Sequence, residues 1–177
     1  MAIRANHYDA AFEEYLRQAR IPYVVVNEAK RSCLDEVSLK SLDFVVCSPA
    51  LGNLLVDVKG RRTPPPGEKK GRRWENWATA DDLESLARWE TAFGAGYRAL
   101  LVFAYWLPEG APRDDLPVML TFRGRQYGFY GVWAREYQQA MKVRSPKWET
   151  VWLTSGWFRE LRFPLESLTR PPRTAAP

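Results

Sequence analysis

Leu42-Asp43-Phe44-Val45-Val46-Cys47, Ser48-Pro49-Ala50-Leu51-Gly52 and Asn53-Leu54-Leu55-Val56-Asp57-Val58-Lys59 decide how this chain folds. The outer runs are apolar and β-branched and the middle one is rich in turn formers, so together they spell an antiparallel hairpin. With the turn centred on Ala50, residues equidistant from it oppose each other, and Asp43 faces Asp57. Opposed Cβ atoms stand ~4.5–5.5 Å apart, where like charges destabilise a sheet. Two carboxylates in otherwise apolar strands need a reason, and a divalent cation between them supplies one. Magnesium takes hard oxygen ligands and keeps several waters, so two carboxylates plus a backbone carbonyl suffice. Alternation puts Lys59 on the face of Asp57, with Val56 and Val58 on the other. An ammonium there stabilises charge building on a phosphate or helps orient an attacking water. The plain alternative is a salt-bridged surface hairpin in which Lys59 only neutralises Asp57. A one-residue bulge would also undo the register.

Upstream, Tyr8, Phe12, Tyr15, Leu16 and Ala19 recur at helical spacing, predicting a helix from His7 to Arg20. Asn6 is its expected N-cap, with Asp9 closing a capping box. Ile21-Pro22 breaks it, and Tyr23 to Val26 reads as a strand. Downstream, Gly60 to Arg73 carries Arg61, Arg62, Lys69, Lys70, Arg72 and Arg73 around Pro64-Pro65-Pro66, and reads as an exposed basic loop. A second helix begins near Asp81, capped by Asp81 with Glu84, and Gly94 and Gly96 end it. Tyr97 to Trp106 returns as a central strand, Leu120 to Val132 as a strand pair, Ala134 to Met141 as a short helix and Trp148 to Leu153 as a strand. The order of elements predicts an α/β sandwich around one mixed sheet, in a single domain over residues 1–169 with a disordered tail at 170–177.

The chain has 177 residues, 46% of them hydrophobic, enough for one sizeable core. Its net charge of +5 permits a nucleic-acid partner without establishing one. No apolar window approaches ~20 residues, so no membrane span is expected. Cys33 and Cys47 lack zinc-type spacing and read as small packed thiols of a reducing cytoplasm. No nucleophile constellation suggests covalent catalysis, and no Gly-rich loop suggests nucleotide hydrolysis.

An acidic helix, Asp43 on one strand and Asp57-Val58-Lys59 on the next resemble the PD-(D/E)XK nuclease superfamily, which includes archaeal Holliday-junction resolvases and many restriction endonucleases. The likeness covers residues 7–106 and implies a restriction-endonuclease-like α-β-β-β-α-β core, a mixed sheet flanked by helices. It further implies a metal-dependent nuclease acting on phosphodiester bonds in DNA, structured or branched DNA included, with Mg2+ or Mn2+ as cofactor on Asp43 and Asp57. Lys59 would be catalytic, and resolvase-type enzymes act as homodimers. His7-Tyr8-Asp9-Ala10-Ala11-Phe12-Glu13 also resembles the opening of the HYExAFE family, departing from it at Asp9, where the pattern has Glu.

In the superfamily a helical acid often completes the site, and Asp9 and Glu13 both compete for that place. Resolvase-like helices carry apolar residues three, six and seven positions after the acid. Phe12, Tyr15 and Leu16 fit this for Asp9, whereas Arg20 spoils it for Glu13. Against that, aspartate is a methylene shorter and reaches a metal through water, so the two acids, four apart on one helix flank, stand level. Nucleic-acid contacts are expected from Lys40 and Ser41 ahead of the Asp43 strand, with Glu28, Lys30 and Arg31 upstream as further candidates. The basic loop that leaves the sheet after Lys59 adds a clamp on the backbone. Trp74-Glu75-Asn76-Trp77 packs the entrance of the second helix or stacks on an unpaired base, and His7 reads as a packing residue. The rival reading is a catalytically silent nucleic-acid-binding module on the same fold, and a third is a protein-interaction domain.

Overall fold

The computed structural model describes residues 6–26, 32–34, 37–64, 74–110 and 119–169. Helix α1 (His7–Gln18) leads into β1 (Tyr23–Val25), β2 (Ser32–Leu34), β3 (Val37–Leu39), β4 (Phe44–Ser48), β5 (Gly52–Arg62) and β6 (Ala78–Thr79). Helix α2 (Ala80–Phe93), β7 (Tyr97–Leu107), β8 (Met119–Phe122), β9 (Arg125–Trp133) and helix α3 (Ala134–Ala140) follow. The chain continues through β10 (Lys142–Ser145), β11 (Thr150–Trp152), helix α4 (Ser155–Leu161), β12 (Phe163–Pro164) and a closing 3-10 turn (Leu165–Leu168).

The main sheet runs β1-β4-β5-β7-β9-β12, with β8 added on β9. The hairpin has the register its turn chemistry dictates, from Phe44 opposite Val56 to Ser48 opposite Gly52. Gly52 closes the turn at φ 81°, a conformation that favours glycine. β5 and β7 are parallel from Asn53 opposite Tyr97 to Arg62 opposite Trp106. Parallel neighbours need a crossover, and α2 supplies it. Both central strands are buried on both faces. Leu54, Val56 and Val58 pack with Phe12, Tyr15 and Leu16 of α1, while Leu55, Leu101 and Phe103 pack with Leu83 and Leu86 of α2. Full burial of each such side chain stabilises by about 1.5–3 kcal/mol. The fold is the expected mixed α/β sheet flanked by helices.

Several expectations need correcting. β5 does not stop at Val58: its pairing with β7 carries it through Gly60, Arg61 and Arg62, so those three are strand rather than loop. Gly60 permits this because the Tyr8 ring occupies the place of its missing side chain; a Cβ there would lie 2.1 Å from Tyr8 Cδ2. Asn6 caps α1, but its side chain accepts from the Tyr8 amide at 3.1 Å. Asp9, in the first turn of α1, is buried at 2% exposure. The capping box of α2 is Thr79 with Asp82, two residues earlier than Asp81 with Glu84. Cys47 is an exposed thiol rather than a packed one. Glu28, Lys30, Arg31, Lys69, Lys70, Arg72, Arg73 and the tail 170–177 lie outside the described residues. Among the described residues, no helix is long and apolar enough to cross a membrane.

Candidate acidic site

The site exists because the hairpin is unequal. β4 begins at Phe44, opposite Val56, and the last rung is the Asp43 amide donating to Val56 O at 2.9 Å. Among the described strands, β5 beyond that point is paired only with β7. The chain ahead of β4 turns instead towards α2, where the Lys40 amide donates to Ser85 Oγ at 3.2 Å and Trp89 Nε1 donates to Lys40 O at 2.8 Å. A cavity of about 320 Å3 remains beside the free edge. β5 contributes Asp57, Val58 and Lys59 to it; the segment before β4 contributes Lys40, Ser41 and Asp43. Asn6 and Asp9 close it from α1, and Asp82 from α2.

Lys59 is the hub. Its ammonium lies 2.9 Å from Asp57 Oδ2 and 2.9 Å from Asp82 Oδ2. The other oxygen of Asp82 accepts from Lys40 Nζ at 2.9 Å, and that ammonium also reaches Thr79 Oγ1 at 3.1 Å. Asp43 Oδ2 accepts the Val58 amide at 2.6 Å. Asp43 and Asp57 line the same cavity, and the Asp43 side chain favours the charged form of Asp57.

These contacts split the acids. Burial raises the pKa of Asp57, and repulsion from Asp82 adds to it, against the attraction of Lys59. Burial also works against ionisation of Asp82, but Lys59, Lys40 and the Thr79 amide together hold it well below the ordinary carboxylate range. For Lys59, burial disfavours the charge, and the Asp57 and Asp82 carboxylates more than offset that, so the ammonium is held above its usual range.

The structure thus brings Asp9, Lys40, Ser41, Asp43, Asp57 and Lys59 to one cavity and leaves other candidates outside it. Glu13, one helical turn beyond Asp9, accepts from Arg17 Nη2 at 2.7 Å and from the Tyr23 hydroxyl at 2.9 Å, and does not line the cavity. Arg61, expected on a loop clamp, is 8% exposed. Its guanidinium donates to Gly60 O at 2.7 Å and to Trp77 O, and lies over the Trp77 ring. Only Arg62 of that pair is exposed, resting on the Trp106 ring with its guanidinium carbon 4.9 Å from the centroid. His7 Nδ1 pairs with the Tyr127 hydroxyl at 2.8 Å, as a packing residue does. Asp82 was missed by sequence reasoning; the signal was Thr79-x-x-Asp82 at the helix start, masked by the competing spacing of Asp81 and Glu84.

The donor chemistry suits a hard divalent cation. Asp43 and Asp57, lining one half-enclosed cavity, would hold such an ion between them, with Asp9 lining the same cavity. Among the described residues, no group of three or more His, Cys, Asp or Glu is drawn close enough to hold an ion directly, so water would complete the shell.

No family model matches the sequence. The chain is 26% identical over 168 residues to the ATP-dependent DNA helicase Rep of Escherichia coli, a match covering 89% of this chain and 25% of that protein's length. Among solved structures it is similar to Hjc, a Holliday junction resolvase from the archaeal hyperthermophile Archaeoglobus fulgidus. That likeness has a TM-score of 0.53 and 14% identity, and covers 92% of this chain and 97% of the other. With its helix-flanked mixed sheet, the chain therefore has the restriction-endonuclease-like fold of that resolvase.

Proposed function

We propose that this protein is a divalent-metal-dependent nuclease that hydrolyses phosphodiester bonds in structured or branched DNA. One observation supports the reading above others: Asp43 and Asp57 line one cavity with Lys59, whose ammonium lies 2.9 Å from Asp57. Asp43 and Asp57 would hold Mg2+ or Mn2+, and Asp9 is the helical acid nearest to them. The bound ion would polarise a phosphate oxygen and acidify a water. Lys59 keeps its proton through the cycle, because two carboxylates hold it, and so offers a fixed positive charge to a phosphate crossing the cavity. Asp82 fixes where that charge sits. The homodimer implied by the family likeness belongs to the same proposal.

The test is cleavage of linear, forked and four-way DNA in manganese. Asp57→Asn should lower the rate by about a hundredfold or more, since it removes a metal-holding carboxylate. Equal cleavage by the variant, or none by the native protein, would overturn the proposal. A second reading, a silent DNA-binding module, is favoured by the two-carboxylate donor set, and would bind these DNAs with no response to metal.

A further inference from the structure

A second cavity, of about 500 Å3, is lined in part by Trp77, the ring on which the Arg61 guanidinium rests. Three of the chain's eight tryptophans form it: Trp74 and Trp77 from the segment entering β6, and Trp152 from β11, with Val143 and Arg144 of β10 at the mouth. Their planes are set from behind. Trp74 meets the buried Tyr105 edge-on at 4.9 Å, and the Arg61 guanidinium lies 3.9 Å from the Trp77 centroid. The Arg144 guanidinium lies 5.3 Å from the same centroid and 3.9 Å from the Glu75 carboxylate, which also lines the cavity, and both side chains are partly exposed to solvent. Val143 beside it is 66% exposed.

Aromatic walls beside a partly exposed arginine fit a flat neutral ring joined to an anionic phosphate, which is the chemistry of a nucleotide. Asn76, the neutral polar side chain in the wall, is committed to the backbone: its amide donates to Leu153 O at 3.2 Å and accepts from the Leu153 amide at 2.9 Å. With that group engaged, stacking dominates and a base would be held with little regard to sequence. The two cavities are also tied together. Arg61 sits two residues past Lys59 on the same face of β5, and Trp77 leads directly into β6, whose Thr79 accepts from Lys40. A base inside a duplex stack cannot enter such walls.

We propose that the tryptophan cavity holds an unpaired nucleobase of the DNA strand whose phosphate lies at the acidic site, so that the protein selects DNA with a single-stranded end or branch. This rests on the reading of the chain as a DNA-cleaving protein, and deepens it.

The experiment compares binding, in EDTA, of a blunt duplex and the same duplex with a short overhang carrying 2-aminopurine. The overhang should bind about tenfold or more tighter, with its fluorescence quenched by stacking. Trp152→Ala and Arg144→Gln should each remove most of that preference while blunt-duplex binding persists, and thermal melts verify that both remain folded. Arg144 is partly exposed and provides the outcome if Trp152→Ala unfolds. Equal binding of the two DNAs, preference retained in both variants, or no DNA binding at all overturns the proposal. Because the assay excludes metal, a protein that cuts DNA in manganese without overhang preference refutes only the base pocket. One that prefers overhangs yet never cuts refutes only the nuclease.

Discussion

The two sides of Lys59 present the same distance and opposite chemistry. On the hairpin side Asp57 stands 2.9 Å from the ammonium, and on the helix side Asp82 does too. Asp82 is satisfied: two lysines, the Thr79 amide and its place in the first turn of α2 all favour its charge. Asp57 is in conflict, since burial and the charge of Asp82 oppose its ionisation while Lys59 and Asp43 favour it. An ion pair that stabilises a fold looks like the helix side. An acid kept buried against the charge of a second carboxylate, across the same ammonium, looks like a site built for something else. The lesson is that one ammonium can be structural towards one carboxylate and functional towards another.

The largest effect expected from breaking this asymmetry is at Asp82. Asp82→Asn removes the counter-charge of a buried lysine and half of a capping box, and should cost about 2–4 kcal/mol in urea unfolding. An unchanged midpoint would mean that Asp57 alone suffices for Lys59.

Asp57→Asn should go the other way, leaving the fold intact or stabilising it by about 0.5–2 kcal/mol without metal. Manganese should raise the melting temperature of the native chain and not of this variant. The two variants should also diverge with pH. Because folding raises the pKa of Asp57, its cost is absent below the unfolded value near 3.8 and grows as pH rises through the folded one, and so does the variant's advantage. Because folding lowers the pKa of Asp82, its contribution is complete above 3.8 and is lost as pH falls through the folded value. Stability difference curves of the same sign for both variants would erase the distinction. The smallest effect is at Lys40, which is 39% exposed: Lys40→Met should cost less than about 1 kcal/mol, because solvent screens an ion pair of that exposure.

What the sequence revealed and hid follows from how local each signal is. The hairpin register was legible because Ser48-Pro49-Ala50-Leu51-Gly52 fixes the turn and alternation fixes the faces. The crossover was legible from the order of helix and strand. The fate of Arg61 was not, because a charged run beside prolines reads as solvated, while its burial depends on β7 and Trp77, both distant in sequence or turned back in space. Asp9 and Glu13 looked equivalent on one helical flank, and only the fold shows Asp9 at the cavity and Glu13 bound to Arg17 and Tyr23. Asp82 was hidden by neighbours with the same capping chemistry.

Gly60 has a consequence of another kind. The Tyr8 ring rests where a Cβ would be, at 2.1 Å, and that ring is itself backed by His7 at 3.9 Å between centroids. One absent methyl group thus acts as the spacer that sets how near the first helix comes to the central strand, and with it the width of the acidic cavity. A Gly60→Ala change would alter no ionisable group and no ligand. It would act as a wedge, carrying Asn6 and Asp9 away from Asp57 and opening a gap that only additional water could fill.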